Sequence, residues 1–482
     1  MTEYIPHITV FVTVANTLVI VLVIPWVLMT KRESTAAIAW CLLVFFVPIF
    51  GGLCFWVFGY NTLYRPLRRK RRHRSRIQKG HPPASPEAER GGEDKEPPFH
   101  TYNQLGHLAS RVRAFPVSHG NALTLIDDTQ AAYDAILAAI GNARHHVNVE
   151  FFIFRPDGAG RRLLDLLTAK AKAGVEVRLL FDSVGSRGLG RRALLPLRDA
   201  GGKIAYFLPL NPIRSRLRVN LRNHRKIVVV DGLVGFTGGM NIGDEYLGSS
   251  ARFGYWRDQM LQLEGPGVAG LQRIFMEDWD FAADETLEGD AYFPPLAKAG
   301  DAVVQVVESG PDQELNSIRE IVFAAILSAR ERLWMASPYF VPDTGILDAI
   351  RLASYRGVDV RLLCLLHPDK YIAFYAAHYY WSDLMRVGMK VYQYAKGMMH
   401  AKVMLVDGQW GMVGSANLDN RSLHLNFEAA CILHSPALVA ELEAGFLRDL
   451  ENSVLLDPRA FAARPFAQRL ATNACRLLSP IL

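Results

Sequence analysis

No Cys-x-x-Cys pair occurs in the 482 residues, and Cys41, Cys54, Cys364, Cys431 and Cys475 lie apart in apolar stretches. That spacing gives no ground for a zinc site or a disulfide framework, and the five read as small core residues. Residues 1–7 contain neither Lys nor Arg, and no small-residue cleavage motif follows the first apolar run. Both absences argue against a cleaved export signal. Between Gln78 and Pro98 large apolar side chains are missing, while Pro, Gly, Glu and Lys abound. Such a stretch has too little to bury and reads as a disordered linker.

What is present is apolar and basic: 50% of the residues are hydrophobic and the formal charge is +7. That balance fits a nucleic acid or an anionic bilayer as partner. Two long apolar runs decide between them, Ile8 to Met29 and Ala36 to Phe58, the second interrupted by Pro48 and Gly51-Gly52. Each is long enough for the roughly 20 helical residues that cross a hydrocarbon core, so residues 1–62 are expected to hold two membrane helices. The Pro and Gly residues allow a kink or a re-entrant hairpin in the second. Arg65 to Arg76 is densely basic, whereas the loop between the runs offers Lys31 and Arg32. The positive-inside rule then places everything that follows on the cytoplasmic side, with Arg65–Arg76 as a contact for anionic lipid. Residues 63–99 form this basic segment and the linker.

From His100 onward the chain repeats itself. Gly174-Val175-Glu176-Val177-Arg178-Leu179-Leu180 returns as Gly357-Val358-Asp359-Val360-Arg361-Leu362-Leu363, and each copy lies downstream of a helical pattern and an apolar strand. Helices alternating with buried strands predict an α/β fold of two duplicated domains, each a mixed sheet flanked by helices. Their expected spans are 100–283 and 301–482, joined by a linker at 284–300. Near the end, Phe466, Leu470, Ala474, Leu477 and Leu478 share one helical face, with Arg469 and Arg476 off it. A helix packing on the domain is the favoured expectation, with a helix lying on a membrane surface as the alternative.

The strongest signal is a doubled motif. His224-Arg225-Lys226 runs through four β-branched residues into Asp231-Gly232, and His400-Ala401-Lys402 runs through an apolar strand into Asp407-Gly408. Ten residues past each Asp stands an Asn, in Gly238-Gly239-Met240-Asn241 and Gly414-Ser415-Ala416-Asn417. Side chains two apart on a strand share a face, so each His lies beside its Lys while Arg225 points away. Duplicated domains meeting about a pseudo-twofold axis would gather two imidazoles and two ammonium groups without a metal-ligand cluster. This suits a phosphodiester: the lysines hold nonbridging oxygens and Asn241 and Asn417 add neutral donors for the substrate. One His attacks phosphorus and the other protonates the leaving alcohol. Asp231 and Asp407 complete the motif as catalytic candidates, yet their hairpin position favours pinning the turn. Asp258 and Glu428 are better placed to orient the histidines.

The two His-x-Lys-x4-Asp motifs with their trailing Gly-x-x-Asn resemble the phospholipase D superfamily. Trp256-Arg257-Asp258, Ser337-Pro338-Tyr339-Phe340-Val341-Pro342, Asn420-Arg421-Ser422 and the N-terminal apolar runs resemble its bacterial cardiolipin synthases. The resemblance implies that Glu428 serves His224 and Asp258 serves His400 across the two halves. It implies His224 as nucleophile, His400 as acid and base, and no cofactor. It further implies transfer of a phosphatidyl group between two phosphatidylglycerol molecules at the bacterial inner membrane, making cardiolipin and glycerol. Sequence symmetry alone does not assign the histidine roles. A hydrolase or a transferase with another headgroup would share these residues, and a nuclease would have little need of membrane helices. The oligomeric state is left open, a homo-oligomer included.

Overall fold

The computed structural model describes residues 4–31, 34–59, 100–112, 114–209, 221–313 and 315–482. The basic run Arg65–Arg76 and the linker from Gln78 to Pro98 lie outside the described residues. The chain divides into two compact units, one around the N-terminal helices and one holding the duplicated halves.

In the N-terminal unit, Tyr4–Thr30 is one continuous helix. Its stretch Val10–Thr30, 21 residues of mean hydropathy 2.4, is long and apolar enough to cross a membrane. The second apolar run breaks at the proline, where the sequence allowed a kink. It forms Ser34–Phe46 and Pro48–Cys54, followed by a π-turn at Phe55–Gly59. Val47 leaves helical geometry at φ −135° and ψ 71°, because a residue before proline is driven out of the α region. Thirteen residues rise only about 20 Å, short of a hydrocarbon core of about 30 Å, so no single second spanning helix forms. Trp26 and Trp40 each meet the Phe55 ring edge-on at 5.4 Å, closing the helices on one another.

In the larger unit the first half supplies β1 (Ser118–Asp128), β2 (His146–Phe151), β3 (Glu176–Asp182), β4 (Lys203–Phe207), β5 (Ile227–Val230), β6 (Val234–Gly238) and β7 (Tyr255–Glu264). The second supplies β8 (Ala302–Ser309), β9 (Arg332–Ala336), β10 (Phe340–Val341), β11 (Asp359–Leu365), β12 (Lys390–Tyr394) and β13 (Gly397–Met399). It continues with β14 (Val403–Val406), β15 (Trp410–Gly414), β16 (Leu418–Asp419), β17 (Glu428–Leu433) and β18 (Ser453–Leu455). The first half is ordered β1-β7-β6-β5-β2-β3-β4, and the second repeats that order as β8-β17-β15-β14-β9-β11-β12. In each, three parallel strands are extended by antiparallel ones. The two sheets are not separate. β1 pairs antiparallel with β8, fusing the halves into one 16-stranded sheet, and β13 crosses over to pair with β7.

The central strands carry the local logic. β5 and β14 are buried along their whole length, as expected of apolar strands covered on both faces. Each ends in a tight hairpin whose two central residues have positive φ: Asp231 at 54° and Gly232 at 69°, Asp407 at 53° and Gly408 at 67°. Asp tolerates that region and Gly enters it without steric cost, which sets the right-handed twist of the hairpin. Helices Thr129–Gly141, Gly158–Lys172 and Thr344–Tyr355 are capped by Asp128, Asp157 and Asp343, each accepting from a backbone N–H of the first turn.

Candidate active site

Each motif histidine enters the site just ahead of its strand, tied by its backbone to the opposite half. His224 N–H donates to Phe427 O at 2.9 Å, and His400 N–H donates to Arg257 O at 2.7 Å. Phe427 and Arg257 immediately precede Glu428 and Asp258. The same crossing that anchors the backbone therefore delivers a carboxylate to the imidazole. His224 Nδ1 lies 3.0 and 3.1 Å from the Glu428 oxygens, and His400 Nδ1 lies 2.6 Å from Asp258 Oδ2. A carboxylate on Nδ1 holds the proton there and leaves Nε2 free as nucleophile or base.

The lysines fold back beside their histidines. Lys226 Nζ donates to His224 O at 2.5 Å, and Lys402 Nζ donates to His400 O. All four side chains are buried, and burial is the first cause of every shift among them. It lowers His400 to about 4, with Lys402 adding to the effect and Asp258 opposing it. His224 falls well below the usual imidazole range through burial and the charges of Lys226 and Lys402. Lys226 comes down to about 7, helped by Lys402 and opposed by Glu428; Lys402 comes down to about 8. Burial raises Glu428 to about 7 against the pull of Lys226. For Asp258 burial pushes upward, but His400 and Lys402 outweigh it and hold the carboxyl below its ordinary value. The site is thus a buried cluster of two imidazoles and two lysines whose charge is disfavoured by burial and by one another, so an entering anion would stabilise it.

The remaining candidates fall into two groups. Asn241 and Asn417 are buried, Asn241 accepting from Ile153 N–H at 3.1 Å, and Asn417 Oδ1 lacks a partner among the described residues. Asp231 and Asp407 are not brought to the histidines. Asp231 accepts from the N–H groups of Arg144, His145 and His146 at 2.7–2.8 Å. Asp407 does the same for Arg330, Glu331 and Arg332 at 2.8–2.9 Å. Both pin the start of a neighbouring strand to the hairpin, because a strand of this length carries the Asp on the order of 20 Å from its His.

Several participants escaped the motif. Ser415 donates to Glu428 Oε2, while at the matching position a Cβ on Gly239 would sit 2.0 Å from Asp258 Oδ1. A serine thus steadies the longer carboxylate and a glycine makes room for the shorter one. Lys370, opening the helix Tyr371–Met385, sends its charge into His224, Lys226 and Lys402. It belongs to no repeat, so nothing in the sequence marks it. Arg225 points away from the pocket, as strand alternation predicts. It is fully buried against Asp278 at 2.5 Å and Glu308 at 2.9 Å, and its Nε donates to Glu428 O at 3.1 Å. The second motif has Ala401 in its place. Among the described residues no three His, Cys, Asp or Glu side chains gather as metal ligands.

Comparison with known proteins places this geometry. The sequence model described as "Cardiolipin synthase, PLD-like domain" matches residues 136–279 and 322–450, and "Phospholipase_D-nuclease N-terminal" matches residues 17–59. A cardiolipin synthase of Alkalihalophilus pseudofirmus is 38% identical over 454 residues, covering 94% of this chain and 90% of that protein. One from Geobacillus kaustophilus is 39% identical over 457 residues, with the same shares. Among solved structures, the phosphatidylserine synthase of Haemophilus influenzae shares the fold. It has a TM-score of 0.60 at 18% identity, covering 79% of this chain and all of that one. The family match extends over both duplicated halves, each bearing one His, one Lys and the carboxylate that the other half's histidine uses, and the chain belongs to the phospholipase D-like cardiolipin synthase family.

Proposed function

We propose that the protein is a cardiolipin synthase, a phosphatidyltransferase that joins two phosphatidylglycerol molecules and releases glycerol. The observation that carries the mechanism is the exchange of carboxylates, Glu428 to His224 and Asp258 to His400. It makes two imidazoles available through Nε2 around one cationic pocket. The phosphate of the first lipid enters between Lys226 and Lys402, and its charge favours their protonated forms and that of His400. His224 Nε2 attacks phosphorus while His400 gives its proton to the glycerol oxygen as that P–O bond breaks. Glycerol leaves, and the phosphatidyl group stays on His224 through a P–N bond. The free hydroxyl of the second phosphatidylglycerol then loses its proton to His400 and attacks phosphorus, freeing His224 and forming cardiolipin. Asn241 and Asn417 supply neutral donors at the phosphoryl oxygens, and no cofactor takes part.

Substrates confined to a bilayer agree with a chain whose first helix is long enough to span one. In this reading the second apolar run completes a re-entrant or kinked second pass, the catalytic halves face the cytoplasm, and Arg65–Arg76 rests on anionic lipid. The test is incubation of the membrane-reconstituted protein with phosphatidylglycerol alone, beside His224→Ala and His400→Ala. Cardiolipin and free glycerol from wild type, lost in both variants, are expected. Phosphatidic acid as the main product would identify a hydrolase instead.

A further inference from the structure

The C-terminal helix Phe466–Arg476 packs the wrong way round for a core helix. Its buried residue is Thr472, and its partly buried Cys475 and Ala471 lie on the same side. Arg476 completes that side, stacked over the Tyr379 ring of the helix Tyr371–Met385 at 4.1 Å. The apolar face points out: Phe466 is 71% exposed, Leu470 57% and Leu477 75%. The helix thus packs on its domain, but through the face opposite to the one its sequence suggests. Leaving three large apolar side chains side by side in water gains nothing for the fold, and a contiguous outward patch of this kind marks a contact surface.

We propose that this face is an interfacial anchor that lies in the surface of an anionic bilayer. Charge selects the occupant. After Asp457 the chain carries Arg459, Arg464, Arg469 and Arg476 and no Asp or Glu. Arg464 and Arg476 turn to the domain, on His378 and Tyr379, while Arg459 and Arg469 are exposed, and exposed guanidinium groups near an apolar stripe complement anionic headgroups above acyl chains. Position supports the same occupant. The turn that ends the helix is bound to the active-site loop, with Asn420 Nδ2 donating to Ser479 O at 3.0 Å and Arg421 N–H to Leu482 O at 2.9 Å. Those residues lie directly beyond Asn417, so seating the helix in a bilayer holds this rim of the site at the lipid surface.

The test uses the full chain in vesicles of phosphatidylcholine and phosphatidylglycerol, with Cys41, Cys54 and Cys475 replaced and a polarity-sensitive fluorophore at Leu470→Cys. A control carries the fluorophore at Glu441→Cys, on an exposed position of another helix. The Leu470 probe is expected to shift to the blue and to be quenched by nitroxide-labelled lipid, unlike the control. Leu470→Glu with Leu477→Glu is expected to raise the surface concentration of phosphatidylglycerol needed for half-maximal rate on the order of tenfold, with kcat kept. A probe as wet as the control would overturn the proposal. So would a change of the double variant's particle size in detergent, which would make the face a contact between copies, or a joint fall of kcat and melting temperature, which would make it structural. The fluorescence readout needs no turnover, so it stands apart from the assigned reaction.

Discussion

Burial and crowding of like charge leave both motif lysines close to losing their protons at neutral pH, Lys226 near 7 and Lys402 near 8. A lysine whose value is lowered keeps its charge only below that value, and the charged form is the one that holds phosphate. The rate per phosphatidylglycerol, kcat/KM, is therefore expected to fall as pH rises through about 7 to 8, far below the 10.5 of a free lysine. Lys226→Arg, which stays charged, should move the onset of this limb upward, from about 7 towards the value of about 8 set by Lys402. A profile flat to pH 10 would show that neither lysine's charge matters. Histidine roles need a different probe, because the geometry of the two imidazoles is nearly symmetric. A phosphatidyl ester of p-nitrophenol needs no acid to expel its leaving group. His400→Ala is then expected to release about one equivalent of nitrophenol in a burst and to stall as the His224 adduct, whereas His224→Ala gives no burst. The reverse pattern would exchange the two roles. The residues proposed for this chemistry were legible because the motif occurs twice. Lys370 and Ser415 were not, because a side chain brought in by tertiary contact has no periodic or local signature.

At the scale of elements, the hairpin aspartates separate structure from chemistry. Asp231→Ala or Asp407→Ala removes the acceptor for three backbone N–H groups and places Ala at positive φ. Each should lose roughly 1–3 kcal/mol of stability, read as a lower urea midpoint, while kcat stays within about twofold. A variant that melts like wild type but has lost turnover a hundredfold would return the aspartate to the reaction. Strands and turns of this kind were readable because a continuous apolar run closing on Asp-Gly is a local signal. Two elements were read only in part. In the second apolar run Pro48 marked a possible kink, but hydropathy did not show that the run divides there into two short helices. For the C-terminal helix, amphipathicity separates two faces but does not say which of them the domain covers, and Thr472 is inside while Leu470 is outside. Hydrophobicity marks the inner face only where water is the sole alternative.

The whole molecule depends on how the halves are joined, and here the sequence was silent. Antiparallel pairing of β1 with β8 leaves no mark in either strand, and the crossover of β13 to β7 depends on Gly397, where a Cβ would lie 2.0 Å from Tyr255 O. The duplication announced two units and the family resemblance implied that each histidine takes its carboxylate from the other half; what neither marked is the continuous sheet that joins them. Arg225 makes that dependence measurable. From the first half it binds Asp278 of its own half and reaches Glu308, Ser309 O and Glu428 O of the second, all at full burial. Removing one member of a buried ionic cluster leaves the others charged without compensation, a cost of about 3–5 kcal/mol. Arg225→Met should therefore lower the unfolding midpoint of the catalytic unit by that amount and reduce turnover further, because Glu428 loses the donor on its carbonyl. Adding Asp278→Asn and Glu308→Gln removes the stranded charges, so stability should recover in large part while turnover recovers less. That split, measured by urea unfolding and cardiolipin formation on the same samples, distinguishes a clamp between halves from a simple core residue. If stability and turnover instead return together, or if Arg225→Met costs under about 1 kcal/mol, the clamp does not exist. Ala401, buried at the matching place in the second motif, has no charge to strand, so the prediction applies to one half of a duplicated site and not to the other.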